Sequence, residues 1–205
     1  MTLLEQFGHI DIYLFDQLLR GRLAPGMRVL DAGCGSGRNL VYLLREGFDV
    51  SAIDERADAV GQVRQLAERL APRVPSTQFR VEAVESCSFP PESFDVVISS
   101  AVLHFARDDA HFDAMVNAMW RVLRPGGLLF CRLASGIGLE GARPLGHNRF
   151  LLPDGSERYL VSAERLRSKT RELGGTLLDP LKTTVVQDQR SMTTWVVKKV
   201  QTARP

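Results

Sequence analysis

Three glycines set two apart, Gly33, Gly35 and Gly37, separate an apolar run, Val29-Leu30, from a helical pattern that begins at Leu40. Glycine reaches backbone angles closed to other residues and has no Cβ, so a ligand can lie against bare main chain. The start of a helix adds unpaired N–H donors to such a turn. One acid, Asp31, stands two residues ahead of the first glycine, and another, Asp54, ends the next short apolar run. A carboxylate at that second place can accept hydrogen bonds from both ribose hydroxyls. It can also cap the helix that follows. The order is Asp-x-Gly-x-Gly-x-Gly, which is not the G-x-G-x-x-G of dinucleotide sites.

Other chemistry-bearing residues are sparser. Cys34, Cys87 and Cys131 are odd in number and contain no C-x-x-C pair, which predicts reduced thiols and neither a disulfide frame nor a zinc site. No His, Asp and Glu cluster has metal-ligand spacing, so no metal is expected. The basic run Arg165, Arg167, Lys169 and Arg171 alternates with Glu164 and Glu172 and predicts a solvated helix face. A net charge of +2 on 205 residues gives no electrostatic argument for nucleic acid or an anionic membrane. Met1 to Phe15 carries Glu5 and Asp11 and lacks a basic leader or long apolar core, so neither a signal peptide nor a membrane span is expected and a cytoplasmic setting is.

The elements that must hold these residues alternate. Asp11 to Leu23 has helical spacing and Pro25-Gly26 breaks it. Strands are expected at Met27 to Leu30, Asp49 to Ile53, Gln78 to Val81, Phe94 to Ser99 and Leu128 to Leu133. Helices carrying Leu40, Leu43 and Leu44, then Val60, Val63, Leu66 and Leu70, then Phe112, Met115, Met119 and Val122, lie between them. Alternation of this kind means parallel strands with right-handed crossovers, a doubly wound α/β sheet. Ala134 to Tyr159 reads as a long loop with a hairpin at Pro153-Asp154-Gly155. Ser162 caps a last helix, and Thr176 to Gln187 and Met192 to Val200 read as two strands joined too closely for a crossover.

Asp31-x-Gly33-Cys34-Gly35-x-Gly37, Asp54, the step Glu82-Ala83-Val84-Glu85, and Ser99 to Phe105 followed by Leu123-Arg124-Pro125-Gly126-Gly127 occur in the order found in class I methyltransferases. The chain resembles that S-adenosylmethionine-dependent family over about residues 27 to 133. The resemblance implies a seven-stranded Rossmann-like sheet of order 3-2-1-4-5-7-6, with the last strand antiparallel. The length of 205 residues reads as one domain, with a helical cap (1–26), a cofactor-binding core (27–133), an acceptor-site loop (134–160), and a final helix with an antiparallel pair (161–205). The resemblance also implies S-adenosyl-L-methionine as cofactor, bound by Asp31, Gly33, Cys34, Gly35, Asp54, Glu82, Ala83 and Ser99. An NAD-binding domain would be expected to continue with parallel strands.

The same resemblance places His104 near the sulfonium, as a candidate general base or a wall residue. Tyr13, His104, Arg132 and Arg149 are the candidate acceptor-binding residues. No Asn- or Asp-Pro-Pro-Tyr motif follows the fourth strand, where Ser99-Ser100-Ala101-Val102 stands, which argues against amide or adenine methylation. A small-molecule acceptor is expected, with no nucleic acid partner. The acceptor atom and the oligomeric state stay open, as does the alternative of cofactor binding without turnover.

Overall fold

Residues 2–201 are described in a computed structural model; Met1 and residues 202–205, which belong to the expected 1–205 domain, lie outside the described residues. The apolar runs form parallel strands β1 (Arg28–Ala32), β2 (Asp49–Asp54), β3 (Phe79–Val81), β4 (Phe94–Ser100) and β5 (Leu123–Ala134). Every residue of β4 is buried, because it lies between β1 and β5 with helices on both faces. The last hairpin, β10 (Lys182–Val186) and β11 (Arg190–Lys199), completes the order β3-β2-β1-β4-β5-β11-β10. β11 runs antiparallel to β5 in a register from Met192 opposite Ala134 to Lys198 opposite Leu128. The expected order 3-2-1-4-5-7-6 is observed, in a sheet of eight strands where seven were expected.

The helices bury one stripe each. α3 (Val41–Arg45) buries Leu43 and Leu44, α4 (Ala57–Leu70) buries Ala59, Val60, Val63 and Ala67, and α5 (Asp109–Val122) buries Phe112, Met115, Val116, Met119 and Val122. α3 and α4 cover one face of the sheet, α5 and α6 (Ala163–Glu172) the other, which gives two separate apolar cores.

Four expectations need correction. The single helix from Asp11 to Leu23 is α2 (Ile12–Leu19), capped by the Asp11 carboxylate, and a further helix precedes it: α1 (Leu3–Phe7), closed by a reciprocal Thr2–Glu5 capping box. The strand Thr176 to Gln187 is two, β9 (Gly175–Leu177) and β10, both paired with β11; Pro180, which has no N–H to donate, lies between them. The stretch 134–160 is not a plain loop. It carries β6 (Arg143–Gly146), β7 (Arg149–Leu151) and β8 (Glu157–Tyr159) as a small antiparallel sheet. The Pro153-Asp154-Gly155 turn does join two of its strands, with Asp154 Oδ1 accepting the Ser156 amide; the unexpected turn is His147-Asn148, both at positive φ. Finally, the basic face of α6 is only partly solvated. Lys169 is fully buried between Asp113 (3.1 Å) and Glu172 (2.7 Å), and Arg165 also reaches Asp113.

Candidate functional site

β1 delivers the chain to the carboxyl edge of the sheet, where the three glycines turn it over the end of β2. The amides of Gly33 and Cys34 both donate to the Ile53 carbonyl, at 2.8 and 3.0 Å. All three glycines have φ between 52° and 82°, a region costly for other residues. Their surroundings differ. A Cβ on Gly33 would overlap the Val102 side chain, and one on Gly37 would press at 3.1 Å on Val63 and Leu66 of α4. A Cβ on Gly35 would meet nothing within 4 Å. Gly33 and Gly37 are therefore small for packing, and Gly35 leaves open space.

Asp54 fixes this loop. Its Oδ2 accepts the Gly35 amide at 2.9 Å and its Oδ1 the Arg56 amide at 3.0 Å. Each oxygen keeps a lone pair for a ligand hydroxyl. The N-cap position of α4 is Arg56, so Asp54 forms the turn before the helix and does not occupy the cap itself.

An open cleft of about 690 Å³ lies above the loop, a size suited to a nucleoside-sized ligand and a small partner. Its walls include Gly33, Cys34 and Gly35 from the loop, Asp54 and Arg56 after β2, Ala83, Val84 and Glu85 after β3, and Ser100, Ala101, Val102 and Phe105 after β4. Ala101 has φ 65°, a strained angle for a residue with a Cβ, at the point where β4 opens into the cleft. His111 at the start of α5 closes the far edge. Its Nδ1 accepts the Arg107 amide (3.1 Å), which leaves the proton on Nε2, and Nε2 faces Glu85 Oε1 at 2.9 Å. That imidazole is committed on both nitrogens.

Two buried groups stand behind the walls. Asp31 is 1% exposed and neither carboxyl oxygen has a hydrogen-bond partner. Burial pushes its carboxyl up to about 7, with Asp54 adding to the rise and Arg38 opposing it. His104 is buried with its Nδ1 unpartnered, and its ring meets Phe105 edge-on. Burial, helped by the Arg158 cation, holds it down to about 4, so it is a neutral imidazole at physiological pH.

The expected site residues divide accordingly. Gly33, Cys34, Gly35, Asp54 and Ala83 line the cleft, while Asp31 and Ser99 lie under it, buried. Glu82 turns away and accepts the Ser88 amide at 2.9 Å, so the cleft receives Ala83 and Glu85 in its place. His104 does not line the cleft; its neighbour Phe105 does, 60% exposed. Arg149 is paired with Glu157 on the small sheet, away from the cleft walls. Tyr13 and Arg132 come together, the guanidinium 5.1 Å from the ring centroid, but neither reaches the walls.

Sequence reasoning passed over what joins Tyr13 and Arg132 to the cleft. Asp11 is buried, and its Oδ2 accepts from Arg132 Nη1 (2.8 Å) and Ser100 Oγ (3.3 Å) and lies 3.6 Å from Arg38 Nη2. Its own amide donates to Asn39 Oδ1 at 3.0 Å. Arg38 and Asn39 follow the third glycine directly, a signal available in the sequence. Their partner Asp11, far back in the chain, carried none.

Residues 29–127 match a family model described as a methyltransferase domain. A ubiquinone biosynthesis O-methyltransferase of Methylocella silvestris is 37% identical over 117 residues, which cover 55% of this chain and 43% of that protein. The chain thus spans about half the length of the curated relatives it matches. Among solved structures, the 1,6-didemethyltoxoflavin-N1-methyltransferase of Burkholderia thailandensis, with bound 1,6-didemethyltoxoflavin and S-adenosylhomocysteine, superposes with a TM-score of 0.70 at 20% identity, over 92% of this chain and 76% of that one. The [4+2]-cyclase SpnF superposes with a TM-score of 0.69 at 19% identity, over 92% of this chain and 80% of its own. With the motifs in order, the sheet order in place and the family model running from the glycine loop into β5, residues 29–127 form a methyltransferase domain, with the class I methyltransferase sheet order around it.

Proposed function

We propose that this protein transfers a methyl group from S-adenosylmethionine to a small-molecule acceptor. The observation that carries the reading is Asp31, a fully buried carboxyl whose two oxygens have no partner beneath a glycine loop. Such a group is costly unless a cation completes it, and the cofactor's ammonium is a cation of the right kind. The cradle fits the rest: Gly35 leaves the space a side chain would fill, and Asp54 retains acceptors for ribose hydroxyls.

The cofactor supplies an activated methyl on a sulfonium, so the protein's contribution is orientation and exclusion of water. Val102, Phe105 and Met115 form the apolar wall that would exclude it. His111 is occupied on both nitrogens and His104 is turned into the core, so no imidazole of the described cleft wall is free to take a proton. That favours an acceptor whose lone pair is available without a base.

The second reading, cofactor binding without methyl transfer, is favoured by the likeness to a [4+2]-cyclase, because a fold does not dictate its chemistry. Calorimetry with S-adenosylhomocysteine, followed by an assay of its release across phenol, thiol, amine and carboxylate acceptors, separates the two. Binding with turnover on some acceptor supports methyl transfer; binding with none across the panel supports the second reading.

A further inference from the structure

Phe105 stands at the cleft wall with two arginines near it that form no salt bridge among the described residues. Arg107, two residues on, is exposed and lines the same wall. Arg158 reaches the ring from β8, its guanidinium carbon 4.9 Å from the centroid, and donates only to the Glu157 carbonyl at 2.7 Å. The other arginines of the cleft wall are engaged, Arg38 beside Asp11 and Arg56 beside Asp54. Two carboxylates feel the unpaired cations, and other groups hold both of them. Glu85, in the field of Arg107, faces His111 Nε2 at 2.9 Å. Asp154, in the field of Arg158, accepts the Ser156 amide at 2.9 Å and its hydroxyl at 2.6 Å.

This corner of the cleft therefore combines an exposed aromatic ring with a guanidinium that has donors to spare. A ring offers its face or edge to a flat apolar body, and a guanidinium offers paired donors to a carboxylate. The absence of a free imidazole on the described wall points the same way. A carboxyl group ionises near 4 without help, whereas a phenol, with a pKa of about 10, arrives protonated.

We propose that the acceptor is an aromatic carboxylic acid, its flat body laid on Phe105 and its carboxylate bound by Arg107. The assignment rests on the methyl-transfer reading above and adds to it the class of acceptor. Arg107 is a specificity residue, and Arg158 orients the ring.

An acid and its amide share one body and differ in charge, so the pair separates charge recognition from apolar fit. Benzoic, salicylic, 1-naphthoic and indole-3-acetic acids and their primary amides would be titrated by calorimetry, with and without saturating S-adenosylhomocysteine. At least one acid should bind about ten- to a hundredfold more tightly than its amide. Arg107→Met should remove that preference by weakening the acid alone, and Arg107→Lys should restore part of it. S-adenosylhomocysteine affinity should stay within about threefold in both variants. Binding of no acid, equal binding of acids and amides, or a preference that survives Arg107→Met would overturn the assignment. An acid bound with this preference that is not methylated when S-adenosylmethionine is supplied would instead strike the methyl-transfer reading. Arg107 would then stand as the residue that binds the acid.

Discussion

Val102 occupies the space that a side chain on Gly33 would need, while Gly35, two residues on, faces nothing within 4 Å. The two glycines of one motif thus serve different purposes. From sequence, both read as making room for the ligand, and substitution at either would be expected to remove binding from a folded protein. The structure predicts a split. Gly33→Ala should cost about 2–4 kcal/mol of stability, from overpacking against Val102 and a left-handed backbone angle. Gly35→Ala should cost only about 1 kcal/mol, from the backbone angle alone, and lose affinity for S-adenosylhomocysteine. Urea denaturation and calorimetry on both variants check this; a Gly35→Ala protein that binds like the parent would place the ligand elsewhere.

What was legible in the sequence follows from the range of the interactions. Glycines, strand ends and the Ser162 cap are local features, and β1 to β5 with their helices lie where apolar period and turn residues put them. The antiparallel end of the sheet was readable because four residues cannot carry a crossover. The rest depended on contacts without a local signal. Nothing near Lys169 announces that Asp113 will bury it, and nothing near Asp11 announces Arg132. The small sheet hid for another reason: its strands are three or four residues long, and one turn relies on His147 and Asn148 in place of glycine.

Asp31 predicts a pH signature in both folding and binding. Its carboxyl titrates near 7 when folded against 3.8 in the unfolded chain. Between those values the native state holds the extra proton, so this group's contribution to stability falls as pH rises from about 4 to about 7, by as much as about 4 kcal/mol. Asp31→Asn should flatten that slope. A ligand ammonium favours the carboxylate, so S-adenosylhomocysteine affinity should decline as pH drops below about 7, with proton release near neutrality. Calorimetry in buffers of different ionisation enthalpy measures the release, and equal heats in all buffers would sink the pairing.

His104 predicts the opposite slope. Its folded value of about 4 lies below the ordinary 6.5, so the unfolded chain binds the proton first. Stability from this residue is complete above about 6.5 and is lost as pH falls toward 4, by as much as about 3 kcal/mol. Denaturation midpoints of the parent and His104→Gln at pH 7.5 and 5 should converge at the lower pH. The burial that causes this shift also keeps the imidazole off the cleft wall, so kcat should show no inflection near 6.5 that disappears in His104→Gln. Such an inflection would restore the base role expected from the sequence.

Phe105 is where the small sheet meets the cleft, and it should separate acceptor from cofactor. β8 packs against the turn that carries it, Arg158 of β8 lies 4.9 Å from its ring centroid, and Tyr159 of the same strand is anchored to Asp109 at the start of α5. Phe105 is 60% exposed and lines the cleft, so a ligand seated there would cover it. The Arg158 contact is worth about 0.5–1 kcal/mol at such a site, enough to bias the ring's orientation but not to bury it. Phe105→Ala should therefore raise the acceptor KM about tenfold, and Arg158→Ala by less than about fivefold, with S-adenosylhomocysteine affinity within about threefold in both. Steady-state kinetics on an acceptor that turns over, run beside calorimetry, reads the two effects separately. If Phe105→Ala weakens S-adenosylhomocysteine and spares the acceptor KM, the ring belongs to the cofactor half of the cleft, and specificity for the acceptor must be sought around Arg107 and Met115 instead.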